Sequence, residues 1–111
     1  MIKNKTKNTI ISKSEEYCDS LLKKATGLMF STPKDLVFPF NKEEKVTFHM
    51  FFVFYSIDII FLNEKKEVVE LKENFSPFST YSTRKRIKYA LELPINTIKK
   101  TRTRVGDEII L

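Results

Sequence analysis

Residues 46–62 read VTFHMFFVFYSIDIIFL, the most apolar stretch of the chain. From Val46 to Tyr55 the side chains divide between two alternating faces, and both faces are largely apolar. A strand that is apolar on both faces is typical of a central strand in a sandwich or barrel, or of a strand with one face lining a pocket. The stretch therefore predicts a β fold.

Shorter patterns on either side of this stretch predict further strands. Ile57–Leu62 and Val68–Lys72 read as a hairpin, joined by the polar residues 63–67. Apolar residues alternate with other residues over Ile87–Leu93, which predicts a half-buried strand. A short run at Leu36–Phe38 is followed by Pro39, which confines it to a sheet edge or a strand end.

Helical signals occur near the front of the chain. A first strand ends near Ile11, and Ser12 with Glu15 three residues later makes a capping box. Apolar residues then recur at helical spacing, namely Tyr17, Leu21, Leu22, Ala25 and Leu28. Gly27 suits the C-terminal cap, so the pattern predicts one N-terminal helix.

The C-terminal region combines a helical turn with a last strand. Residues Asn96–Thr101 predict one helical turn, and Gly106-Asp107 predicts a turn before a strand over Glu108–Leu111. With closely spaced strands and 111 residues, the sequence predicts one mainly all-β domain over residues 1–111. A compact sandwich or partly closed barrel fits this pattern, and residues 1–8 could form a flexible basic tail.

Composition restricts the cellular setting. The only cysteine, Cys18, allows no internal disulfide and no cysteine-based zinc site, as suits a reducing compartment. No apolar run reaches the length of a membrane span, and residues 1–9 lack the apolar core of a secretory signal. We therefore expect a cytoplasmic protein with no membrane span.

Five short motifs in this order resemble one known family. They are Gly27-Leu28-Met29-Phe30, Phe48-His49-Met50, Ile57-Asp58-Ile59-Ile60-Phe61-Leu62-Asn63, Leu91-Glu92-Leu93-Pro94 and Val105-Gly106-Asp107-Glu108-Ile109. Together they resemble the prokaryotic domain-of-unknown-function family 192 from Gly27 to the C-terminus. The resemblance implies a jelly-roll-like β domain and no established activity. His49 and Ser56 depart from the pattern, which usually has an aromatic residue and a proline at these positions.

The only histidine, His49, suggests a pocket. If the chain turned at Tyr55-Ser56, then His49, Phe51, Val53 and Asp58 would share one face and line a modest apolar pocket. The preferred hypothesis is therefore a non-catalytic binding or interaction domain for an unknown small ligand or protein partner. A second alternative is a small hydrolase or lyase using His49 and Asp58, although no nucleophile motif accompanies them. Both residues could instead have structural roles, and Asp58, beside a tight connection, could accept backbone N–H bonds that fix the turn.

Most of the net charge of +6 lies near the C-terminus. The basic residues proposed to contact phosphates are Arg84, Arg86, Lys88, Lys99, Lys100, Arg102 and Arg104. Phe75, Phe78 and Tyr81 precede them and could stack on bases. The first alternative is therefore weak binding of RNA or DNA, although a solvated strand face explains the same charges.

The remaining polar candidates have structural interpretations. Glu92 falls on the predicted outward face of a strand, where it would pair with Lys or Arg across the sheet. Cys18 is predicted to pack inertly, because no histidine lies near it in sequence. The pattern predicts no metal site and no cofactor, and it leaves the oligomeric state open.

Overall fold

A computed structural model describes residues 1–18, 35–50 and 55–111. These residues form ten strands and one short helix. The strands are β1 (Ile2–Asn4), β2 (Thr9–Ser12), β3 (Glu15–Tyr17), β4 (Asp35–Glu44), β5 (Thr47–His49), β6 (Ile57–Leu62), β7 (Val68–Phe75), β8 (Thr80–Ser82), β9 (Ile87–Pro94) and β10 (Ile109–Ile110), and the helix is α1 (Thr97–Thr101).

A five-stranded sheet with the order β3-β4-β9-β6-β7 is the centre of the fold. The predicted hairpin is confirmed, because β6 and β7 pair antiparallel. The predicted strand over Ile87–Leu93 is also confirmed as β9, which pairs with β4 on one side and β6 on the other. Only the pairing of β3 with β4 is parallel among the described strands of this sheet.

Smaller sheets cover both faces of the central sheet. On one face, β5 and β8 form a two-stranded ribbon, and Phe48 and Tyr81 from this ribbon pack around Phe61 at ring-centroid distances of 5.6 and 5.8 Å. On the other face, the sheet β10-β1-β2 contributes Ile2 and Ile109 to a second core cluster that includes Ile98 of α1. The described residues therefore form two apolar cores, one on each side of the central sheet.

The prediction of a long central strand over Val46–Tyr55 is wrong for the part of this stretch that the structure describes. There, Thr47–His49 form a strand that belongs to the outer ribbon and not to the central sheet. Val46, Phe48 and Met50 are buried, whereas Thr47 and His49 are exposed, so the ribbon has one apolar face where it is described. Residues 51–54 lie outside the described residues.

The start of the predicted N-terminal helix is also wrong. Glu15–Tyr17 form β3 instead of a first helical turn, because they pair with Asp35, Leu36 and Val37 of β4. The rest of the predicted helix, with Gly27, lies outside the described residues. Residues 1–8, where a flexible tail was considered, include β1, and Ile2 is fully buried in the second core.

Strand β4 extends further than predicted and lies inside the sheet. It continues through Pro39 to Glu44 between β3 and β9. The proline is tolerated because β3 pairs only with Asp35–Val37, so Pro39, which has no N–H group, lies beyond that pairing.

The predicted fold class is confirmed at the coarse level. The described residues are mostly β with one short helix, which matches the helical turn predicted near Asn96–Thr101. The predicted last strand is present as β10. No closed barrel forms among the described strands. The jelly-roll connectivity stays a prediction, and the parallel β3–β4 pair is unlike the antiparallel strands of that fold.

Candidate functional site: a basic groove beside the helix

The structure does not bring His49 and Asp58 to one face. His49 is exposed on the outer ribbon, whose buried residues Phe48 and Met50 pack on the first core. Asp58 is opposite Leu93 in the β6–β9 ladder and accepts a hydrogen bond from Ile98, and both of these residues belong to the second core. The predicted one-sided pocket is therefore not formed by these two residues, and Phe51 and Val53 lie outside the described residues.

Asp58 has a structural role. It is 1% exposed, and its two carboxylate oxygens accept backbone hydrogen bonds from Asn74 and Ile98, each at 3.0 Å. A buried carboxylate is stable when it receives such bonds. Asp58 therefore joins the end of β7 to the start of α1, in agreement with the structural interpretation of this residue.

The prediction for Glu92 is wrong. Glu92 is 1% exposed and lies between Leu36 and Ile59 in the middle of the central sheet. The strand was expected to be half-buried, but the ribbon and the small sheet cover both of its faces. Glu92 therefore does not lie on the exposed outward face that the alternation suggested.

The basic run divides into two groups that lie on either side of β9 in the sequence. Arg84 and Arg86 precede the strand, whereas Lys99 and the basic residues after it follow the strand. In space they lie on opposite faces of the edge strand β7, because the Arg84 N–H donates to Glu70 on the ribbon side, whereas Arg104 lies beside Leu71 on the side of the second core. Lys88 belongs to neither group, because its ammonium donates a hydrogen bond to the carbonyl of Phe40 and lies over the ring of Tyr89.

The aromatic residues predicted to stack on bases are mostly internal. Phe75 is 1% exposed, and the ring of Tyr81 stacks on Phe61. The Tyr81 hydroxyl also donates a hydrogen bond to Glu70, and burial together with this bond raises the pKa of Tyr81 to about 12. Only Phe78 of the three is exposed.

A groove of about 480 Å³ lies between α1 and the edge strand β7. Cationic residues and aliphatic residues both line it, and the full set is Leu71, Glu73, Ile98, Lys99, Arg102, Thr103, Arg104 and Val105. Lys99, Arg102 and Arg104 are exposed, and none of them forms an ion pair within the described residues. With Glu73, the lining carries three positive charges and one negative charge, a net charge of +2.

Tertiary contacts hold the short helix in place. A helix of five residues is unstable alone, because nucleation is unfavourable. Ile98 is buried in the second core, and its N–H donates to Asp58. At the other end, Arg102 adopts a left-handed conformation with φ of 57°, and its N–H donates to Lys99.

The chain after the helix is fixed by Asp107. One carboxylate oxygen of Asp107 accepts hydrogen bonds from the Arg104 N–H, from Asn4 Nδ2 and from Lys7 Nζ, each at 2.9 Å. Burial favours the neutral acid, but these donors outweigh it and hold the pKa of Asp107 below its usual range. The backbone carrying Arg104 is thus positioned before any ligand arrives.

Comparison with known proteins places the chain in a family. The model of the DUF192 family, described as Uncharacterized ACR, matches residues 2–111. The chain belongs to the DUF192 family. The predicted resemblance is thus confirmed, and it covers more of the chain than the predicted start at Gly27.

Archaeal relatives of this DUF192 protein match along nearly its whole length. The UPF0127 protein of Thermococcus sibiricus is 35% identical over 98% of this chain and 73% of its own length. The UPF0127 protein of Pyrococcus abyssi is 32% identical over 98% of this chain and 95% of its own length. Both names denote proteins of an uncharacterised family, so they specify no activity.

Two solved structures share the fold of this DUF192 chain. A proposed transcription regulator of Sinorhizobium meliloti superimposes with a TM-score of 0.77 at 24% identity, over 86% of this chain and 79% of its own. A protein of unknown function from Novosphingobium aromaticivorans gives 0.78 at 22% identity, over 87% of this chain and 74% of its own. At these identities the likeness concerns the fold alone.

Some groove residues of this DUF192 chain were missed by the sequence analysis. The cations were flagged, but Leu71 and Glu73 of β7 and Val105 were not. No local pattern connects β7 with residues near 100, because only the tertiary packing of α1 brings them together. Val105 is 63% exposed, but a single exposed apolar residue is common on protein surfaces, so its presence among charges in the sequence indicated no site.

Cys18 is partly buried and packs against the first core. Within the described segments, no group of three or more His, Cys, Asp or Glu residues is arranged to hold a metal ion. The described helix is also far too short to cross a membrane.

Proposed function

We propose that this DUF192 protein is a non-catalytic binding domain whose groove binds a dianionic head group such as a phosphate monoester. The observation that carries the proposal is the cluster of Lys99, Arg102 and Arg104, which line one groove without ion-pair partners in the described part of the chain. Unpaired cations that converge on a concave surface favour an anionic ligand.

The charge of the groove matches this head group. A phosphate monoester carries about −1.5 to −2 charges at neutral pH, and the net charge of the groove lining is +2. Guanidinium groups also suit phosphate oxygens, because their N–H donors form a planar fork. The absence of a shared face for His49 and Asp58 leaves the hydrolase alternative without geometric support.

The test is titration calorimetry of the full chain with inorganic phosphate at low salt. The variant R102Q/R104Q removes two groove charges, and R84Q/R86Q removes two exposed charges that lie outside the groove. We expect R102Q/R104Q to weaken phosphate binding by at least about tenfold, since hydrogen bonds to charged groups are worth about 1.5–3 kcal/mol each. R84Q/R86Q should bind like the wild type. Equal losses in the two variants, or no binding to the wild type, would contradict the proposal.

Nucleic-acid binding is a second candidate, supported by the two cationic groups on opposite faces of the edge strand β7. A strand of RNA or DNA that passes around this edge could contact both groups. If it does, both double variants should weaken the binding of a single-stranded oligonucleotide. They should also reduce the salt dependence of that binding, because fewer counterions are released on binding when phosphate contacts are lost. A loss confined to R102Q/R104Q would favour the groove.

A further inference from the structure

We infer that the ligand of the groove is the phosphate ester of a sugar or another small polyol, whose hydroxyl groups bind in a polar pocket beside the cations. The inference rests on the proposed function, because it needs the phosphate to occupy the basic groove. It adds the chemistry of the rest of the ligand.

The polar pocket adjoins the basic groove. It has a volume of about 180 Å³ and is lined by Asp58, Glu73, Asn74, Ile95, Asn96 and Lys99. Glu73 and Lys99 also line the groove, so the two spaces are contiguous. A ligand with its phosphate near Arg102 and Arg104 can therefore extend past Lys99 into the polar pocket.

The side chains of this pocket suit hydroxyl groups. Asn74 and Asn96 each offer an amide that can donate and accept, and Glu73 offers a carboxylate acceptor. Within the described residues, neither asparagine amide forms a side-chain hydrogen bond, although the backbone N–H of Asn74 donates to Asp58. Hydroxyl groups both donate and accept, so a polyol can satisfy all three side chains together.

The lining disfavours a nucleobase. No aromatic side chain contributes to either space among the described residues, and the apolar walls are the aliphatic Leu71, Ile95, Ile98 and Val105. Sites that bind bases without sequence preference commonly obtain affinity from aromatic stacking, at about 1–3 kcal/mol per base. We therefore expect the base of a nucleotide to add no affinity at this site.

The backbone at the two asparagines permits clean variants. Asn74 and Asn96 have φ of 52° and 71°, in the left-handed region that glycine adopts most easily. The substitutions N74G and N96G thus remove the amides without straining the backbone, and Asn74→Gly keeps the N–H that binds Asp58. Asn8, with φ of 56° in the turn between β1 and β2, provides the matched control N8G.

The experiment compares four probes by titration calorimetry on the full chain: inorganic phosphate, glycerol 3-phosphate, glucose 6-phosphate and AMP. We expect the better of the two polyol phosphates to bind the wild type at least about fivefold more tightly than inorganic phosphate, from two or more added hydrogen bonds. N74G/N96G should abolish this advantage and leave the affinity for inorganic phosphate unchanged. N8G should behave like the wild type.

The outcomes separate this inference from the proposed function. If inorganic phosphate binds through Arg102 and Arg104 but neither polyol phosphate binds more tightly, the inference fails and the proposed function stands. Tighter binding of AMP than of both polyol phosphates would also overturn the inference. If no probe binds, both fail.

Discussion

Asp107 connects the N-terminal hairpin to the loop after the helix, because its carboxylate binds Asn4, Lys7 and the backbone of Arg104. We predict that D107N lowers the free energy of unfolding at pH 7 by about 2 kcal/mol, because an amide group then faces donors that required an acceptor. Urea denaturation at pH 7 measures this loss.

The lowered pKa of Asp107 makes the stability of the protein depend on pH. Because the folded-state pKa of Asp107 is lowered, its stabilisation is complete above the unfolded-state value of about 3.9 and disappears as the pH falls through the folded-state pKa. The difference between wild type and D107N should therefore shrink at pH 3. The control is E108Q, because the ion pair of Glu108 with Lys5 is exposed. This substitution should lower the free energy of unfolding by less than about 0.5 kcal/mol at either pH. Equal effects of the two substitutions would refute the role of Asp107.

Residue-level prediction from the sequence succeeded where a side chain has a local role. Asp58 beside a tight connection was interpreted as an acceptor of backbone N–H groups, and it accepts two. Glu92 was placed on an outward face because its strand alternates. Its burial depends on layers that come from distant parts of the chain, so alternation within β9 could not reveal it.

At the level of elements, α1 depends on one carboxylate for its position. We predict that D58A lowers the free energy of unfolding by about 2–5 kcal/mol, because two backbone N–H groups lose their acceptor. Amide exchange measured by NMR should accelerate at Asn74 and Ile98 more than at Leu91 in the central strand.

Matched variants distinguish positioning of the helix from a general loss of stability. D58N keeps one acceptor oxygen and should lie between wild type and D58A, whereas E73Q, an exposed change on β7, should leave exchange at Ile98 unaltered. D58A should also weaken phosphate binding, since α1 carries Lys99. Unchanged exchange at Ile98 in D58A would show that the helix is held by its apolar contacts instead.

Elements with regular alternation and a short connection were predictable. The β6–β7 hairpin and β9 agree with the prediction because their patterns are local. The capping box at Ser12 and Glu15 predicted a helix where the structure has β3. This strand is formed by parallel pairing with β4, and such a pairing leaves no signal in the sequence of the strand itself. The apolar stretch from Val46 predicted a central strand for a different reason. Its first residues belong to the outer ribbon, and the central sheet begins only at Ile57, so one apolar stretch contributes to two sheets.

For the whole molecule, the net charge of +6 predicts a stability that depends on salt. The longest dimension of the chain is 35 Å, close to the Debye length of about 30 Å at 0.01 M salt and far above about 8 Å at 0.15 M. Charges throughout the molecule therefore repel one another at low salt only. We expect the free energy of unfolding to rise by roughly 0.5–1 kcal/mol between these concentrations, the scale of exposed charge interactions.

Charge reversal inside and outside the groove tests whether this repulsion involves the whole molecule. R102E/R104E and R84E/R86E each change the charge by −4, from +6 to +2. If the repulsion involves the whole molecule, both variants should flatten the dependence of stability on sodium chloride to a similar degree. If only R102E/R104E flattens it, the repulsion is concentrated in the groove. Crowded groove cations would then destabilise the free protein, and an anionic ligand would stabilise it most at low salt.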